Sequence, residues 1–252
     1  RAATGSIGTM FAGRPTLEAA VRNEVGTIHY NLSELAEAAA EFSLALSLWE
    51  SSLGPDHPDT LKAVNNLGQT RVRQGETESA EALYRRALEG RRRVLGEDDP
   101  FTLVSMNNLA ELCRATGRLD EAERLLTTAL EAQLRVHGKR HKDTITSMGN
   151  LATLMMQRER FDEAIRLHRE SHDASVATLG EDHVMSALTG SRLGAALQKT
   201  GNAAGAEPVL LAAIASLERT LGASSTELIV ARRALARVYR DLERRDDAVR
   251  QI

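Results

Sequence analysis

The sequence predicts an all-α protein made of about six stacked helical hairpins, and three observations carry that expectation. Gly54, Gly96, Gly138, Gly180 and Gly222 recur every 42 residues without insertion or deletion, four after Leu and one as His137-Gly138. Ala38, Ala80, Ala122, Ala164, Ala206 and Ala248 keep the same interval. So do Val25, Leu67, Leu109, Leu151, Leu193 and Leu235, each followed by Gly or Ala. A fixed period of this length marks a supersecondary unit that closes its core only by stacking on its neighbours.

The units fall near residues 11–52, 53–94, 95–136, 137–178, 179–220 and 221–252, with the last stopping inside its second helix. Residues 1–10 read as a leader or linker, and Arg1 in place of Met suggests a piece of a longer chain or a processed terminus. Within a unit the first helix is expected over Thr60–Gln74, where Leu61, Val64, Leu67, Gly68 and Arg71 share one stripe. Gly75 breaks it, as Gly117 and Gly201 do elsewhere. The second helix is expected over Thr77–Val94, with Ala80, Leu83, Tyr84, Ala87 and Leu88 on one face. Gly54 and its equivalents suit a left-handed residue that ends a helix. Pro58 and Pro100 suit the first turn of the next. Asp56, Asp59, Asp98 and Asp99 favour the helix start by capping and through the macrodipole. Small residues at the Gly68 and Ala80 positions let helices approach closely. A large residue at Ala122 or Ala164 should therefore cost about 1–3 kcal/mol, and Leu109→Ala or Leu151→Ala about 2–5 kcal/mol.

Apolar residues make up 42% of the chain, mostly Ala and Leu, which head the helix-propensity scale. The net charge of −3, with a mixed surface, argues against a nucleic-acid partner. No apolar run reaches the roughly 20 residues of a membrane span, and no secretory leader is recognisable. A single cysteine fits a reducing compartment, so a cytoplasmic setting is expected.

The small residue after Leu, the following Ala, and the phrases LGPDHPDTLKAVNNLG and LGEDDPFTLVSMNNLAEL resemble the tetratricopeptide repeat, in the 42-residue form of kinesin light chains. The resemblance covers residues 11–252 and implies a right-handed superhelical solenoid. It departs at His137-Gly138-Lys139-Arg140-His141-Lys142, which is basic, and at Ala223-Ser224-Ser225, which lacks Asp-His-Pro. The segment FAGRPTLEAAVRNEVGTIHY resembles the first repeat after the kinase domain in bacterial, notably planctomycete, serine/threonine kinases. The chain itself has no GxGxxG loop, HRD or DFG, so it is not expected to be an enzyme, and no cofactor is implied.

In that family the first helix of each hairpin lines the inner groove, and the stripe away from its core face carries recognition. In the second unit the stripe is Lys62, Asn66, Gln69 and Arg73; in the third it includes Asn108 and Glu111; the fourth contributes Asn150. Beyond it stand Arg192, Lys199 and Arg237. An amide side chain offers a donor and an acceptor to a peptide backbone of any sequence, and the resemblance carries that role to Asn66, Asn108 and Asn150. Alternatively these amides are solvated, or bridge neighbouring repeats. The basic end fits a partner that is acidic toward one end. A protein or peptide ligand is therefore expected in the groove. The alternative is self-association through apolar surface of the cut sixth unit, including Val238 and Leu242, or regulation of an attached catalytic domain such as a kinase.

Other signals carry less. His168 and His172 stand four apart, but their equivalents Tyr84, Leu126 and Leu210, and Leu88, Leu130 and Ile214, place them in core register rather than at a metal. Cys113 aligns with Met155, Leu197 and Tyr239, a core position. His137 and His141 offer a weak phosphate contact, and the sequon at Asn31 has no secretory context.

Overall fold

Helix boundaries repeat with the glycine period. In the computed structural model, which describes residues 7–222 and 225–251, α1 (Pro15–Asn31) is followed by α2 (Leu35–Leu53), α3 (Pro58–Gln74) by α4 (Thr77–Leu95), and α5 (Pro100–Ala115) by α6 (Leu119–His137). Then α7 (Lys142–Gln157) precedes α8 (Phe161–Leu179), α9 (Val184–Lys199) precedes α10 (Ala203–Leu221), and α11 (Thr226–Asp241) precedes the short α12 (Arg245–Val249). First helices from α3 onward start at 58, 100, 142, 184 and 226, each 42 after the last. No strand occurs among the described residues. Residues 1–6 of the expected leader, Ala223 and Ser224 of the divergent sixth loop, and Ile252 lie outside the described residues.

The chain divides into two compact units, Arg1–Leu125 and Leu126–Ile252. In the first, each helix from α1 to α4 packs on the next, and the first helices also touch, α1 with α3 and α3 with α5. In the second the same holds from α7 to α11, with α7 touching α9 and α9 touching α11. Repeating local contacts of this kind define an all-α solenoid of stacked helical hairpins.

Close approach within hairpins follows a size rule. A Cβ on Gly26 would lie 2.9 Å from the ring of Phe42, one on Gly68 2.8 Å from Tyr84, and one on Gly194 2.5 Å from Leu210. Glycine stands where the facing side chain reaches the partner backbone. The alanine series at 38, 80, 122, 164 and 206 is fully buried. Leu109 and Leu151 are buried as expected. Cys113 is buried too, and desolvation pushes its thiol up to about 11, so no thiolate forms near neutrality.

Helix ends differ from expectation in two ways. Gly54 has φ 92° and ψ 167°, a region open essentially only to glycine, rather than the left-handed helical conformation. The left-handed residue is instead Gly75, with φ 80° and ψ 8°. In hairpins without glycine at that position, Ser33, Glu159 and Glu243 take φ 64°, 60° and 60°. The caps of the first helices are also partly unexpected. Asp99 accepts from the amide of Phe101, but His57, His141 and His183 do the same work with Nδ1, accepting from the amide two residues on. Asp56 does not cap; it pairs with Arg93 at 2.7 Å.

Val238 corrects the expectation of an apolar sixth unit open for association. It is 0% exposed, packed among Leu235, Ala234 and Leu217, because α11 folds its apolar face back on α10. Leu242 is half-buried against the same cluster. Among the described residues no helix is long and apolar enough to cross a membrane.

Candidate functional site: the exposed stripe of the first helices

Four stripe positions of the compact unit Arg1–Leu125 are held by neighbouring hairpins. Asn66 donates Nδ2–H to Asn23 Oδ1 at 3.0 Å, and Asn108 donates to Asn65 Oδ1 at 2.9 Å. Both bonds join residues 43 positions apart, one more than the sequence period. Adjacent first helices are thus offset by a residue, so in the doublet Asn65-Asn66 the first residue accepts from the following hairpin and the second donates to the preceding one. The acceptors Asn23 and Asn65 are buried while Asn66 and Asn108 are half-exposed. Each donor amide keeps one N–H and its carbonyl oxygen for another partner.

Arg73 follows the same offset. Its guanidinium donates to the Tyr30 carbonyl at 2.8 Å and to Ser33 Oγ at 2.9 Å, and lies 4.6 Å from the centre of the Tyr30 ring. Tying down the loop after α1 occupies most of its fork. Lys62 is exposed and pairs with Glu24 at 3.2 Å, an ion pair screened by water. Around this pair Thr16, Ala20, Trp49, Leu53 and His57 frame a recess of about 390 Å³. Gln69 is half-buried, and Glu111 is exposed and bonded to Arg114 on the next turn of its own helix.

In the compact unit Leu126–Ile252, Asn150 is half-buried on α7. Arg192 lies against the α7 backbone, where a Cβ on Gly149 would meet its Nη1 at 3.0 Å. Lys199 is exposed, and its neighbour Gln198 donates to Asp241 at 2.6 Å, again 43 positions away. Arg237 is exposed and shares with Arg233, Arg240, Arg245 and Val249 the wall of a cavity of about 590 Å³. Beneath Arg192, His168 is 4% exposed; desolvation first, then the Arg192 charge, pulls it down to about 4.

His172 is half-buried, with Nδ1 3.3 Å from Thr189 Oγ1. His137 and His141 stack with ring centres 4.4 Å apart, and His141 Nδ1 is engaged as a cap. Among the described residues no three His, Cys, Asp or Glu side chains gather as a metal cluster. The doublet asparagines, Asn23 and the histidine caps are the residues sequence reasoning undervalued.

Profiles described as tetratricopeptide repeat match residues 17–93, 63–135 and 101–175, and a second such profile matches 187–227. No curated protein sequence matches the chain at a significant level. Among solved structures, BtubC (BKLC) from P. vanneervenii is similar with a TM-score of 0.73 and 20% identity, over 86% of this chain and 88% of that one. A putative kinesin light chain with nearly identical TPR-like repeats from Podosopora anserina gives 0.68 and 20%, over 84% and 100%. The Rap conjugation gene regulator of plasmid pLS20, in complex with the Phr* peptide, gives 0.71 and 15%, over 91% and 60%. At such identities the likeness is one of fold.

Proposed function

Because the chain belongs to the tetratricopeptide repeat family, whose profiles match well over half its length, we propose that it binds an extended segment of another protein along the first helices of its hairpins. The observation that carries this reading is the fixed amide pair Asn66 and Asn108. Bonds to Asn23 and Asn65 settle the orientation of each amide before any ligand arrives, so less rotamer entropy is lost on binding. The free carbonyl and N–H of each match the alternating donors and acceptors of an extended backbone. The similar Rap regulator was solved with a peptide, which supports a ligand of this class. Taken by itself, the stripe of the compact unit Leu126–Ile252, with Asn150, Arg192, Lys199 and Arg237, suits a segment carrying acidic side chains. An affinity on the order of micromolar is expected for a shallow surface.

The test uses a peptide selected from a random displayed library and measured by calorimetry. Asn66 and Asn108 also join hairpins, so the informative changes are Lys62→Ala, Gln69→Ala, Glu111→Ala and Lys199→Ala, made together. They should leave helicity and melting unchanged and weaken binding at least about tenfold. Undiminished affinity in that variant would discard the stripe.

A further inference from the structure

A cavity of about 600 Å³ opens between α8, α9 and α10, and the sequence period explains why it is there. At the Ala187 position the three preceding hairpins bury Leu61, Leu103 and Ile145, and at the Gly190 position they bury Val64, Met106 and Met148. Two large core side chains are thus replaced by small ones within one turn of α9. The neighbouring His172 ring moves into part of the vacated space: a Cβ on Gly190 would lie 3.1 Å from its Cε1.

The polar groups are arranged for one kind of ligand. Thr189 Oγ1 lies 3.0 Å from the carbonyls of Met185 and Ser186, so its proton is donated to the backbone. It is therefore left to accept from His172 Nδ1–H, the tautomer in which Nε2 is an acceptor. At the mouth, Arg219 is held by Asp182. Asp173 and Glu181 are exposed and have no ion-pair partner among the described residues. The walls themselves are aliphatic: Val176, Ala187, Val209 and Ala213.

We propose that this cavity binds a small aliphatic amine, its alkyl chain against Ala187, Val209 and Ala213 and its ammonium between His172 Nε2 and the carboxylates of Asp173 and Glu181. A carboxylate ligand would meet Asp173 and Glu181, while the one guanidinium of the lining, Arg219, is already engaged by Asp182. The volume is in the range of small-molecule sites. Since α8 and α10 are second helices, the site is separate from the first-helix stripe and does not depend on it.

The test is calorimetric titration of the full chain with pentylamine at neutral pH, with pentanoate as the control anion. Pentylammonium should bind and pentanoate should not. Ala187→Ile, which restores the side chain of the Ile145 position, should weaken amine binding at least about tenfold while melting no lower than the native chain. Asp173→Asn/Glu181→Gln, at exposed positions, should weaken it about tenfold if the filled variant fails to fold. No amine binding, undiminished binding in either variant, or equal binding of pentanoate would overturn the assignment; a stabilised Ala187→Ile without amine binding would leave only a packing defect.

Discussion

Acidification should weaken the fourth hairpin through His168. Its imidazole is buried and pulled down to about 4, whereas the unfolded chain titrates it near 6.5. Above pH 6.5 both states are neutral and nothing is lost. As pH falls below 6.5 the unfolded chain takes up a proton that the folded chain refuses, so stability declines until the folded ring also titrates near 4. The full gap corresponds to about 3 kcal/mol, and at pH 4.5 about 2–3 kcal/mol of it is already lost. The position accepts Leu in register, as Leu126 and Leu210 show. Urea midpoints should be followed by circular dichroism at pH 7 and pH 4.5 for the native chain and His168→Leu. Carboxylates common to both cancel in the comparison, and midpoints are used because hairpin arrays unfold with graded cooperativity. The native chain should lose markedly more stability between the two pH values than the variant. Equal losses would refute the reasoning. Arg192→Ala should shrink the native loss in part, since its charge adds to the effect of burial.

Four further outcomes are expected. Gly68→Ala drives a Cβ into the Tyr84 ring and should lower stability by about 1–3 kcal/mol by calorimetry, with Tyr84→Leu recovering part of it. Glu159→Gly relieves a left-handed conformation at φ 60° and should raise the melting temperature, worth about 1 kcal/mol. Asn66→Ala leaves the buried Asn23 amide without its donor and should cost about 1–3 kcal/mol in chemical unfolding. Arg91 is buried, held by the Phe101 carbonyl and Ser105 Oγ, and drawn down to about 10; Arg91→Lys loses the planar fork and should cost about 2–3 kcal/mol on the same assay.

The hairpin boundaries were readable because each signal recurs. The helices expected over Thr60–Gln74 and Thr77–Val94 run over Pro58–Gln74 and Thr77–Leu95. The small-residue series was readable because backbone contact tolerates so few side chains, as Gly68 against Tyr84 shows. The contacts between hairpins were not. They depend on the tilt of one hairpin on the next, which sets the 43-position pairing of Asn23 with Asn66 and of Tyr30 with Arg73. That offset turns residues of an exposed stripe into ties between repeats. The histidine caps had a signal in the series 57, 99, 141, 183 and 225, occupied by His, Asp, His, His and Ser. It was obscured because histidine is a rare choice at that position. The cavity had one as well: Ala187 and Gly190 break the large-residue pattern that surrounds them.

The functional claim is most directly tested by placing a photo-cross-linking residue at Gln69, Glu111 or Lys199 on first helices and, in parallel, at the second-helix positions Arg86, half-exposed, and Arg166, exposed. With the selected peptide bound, cross-links should form from the first-helix positions and be absent from the others. Equal labelling of both sets, or labelling from Arg86 and Arg166 alone, would contradict it.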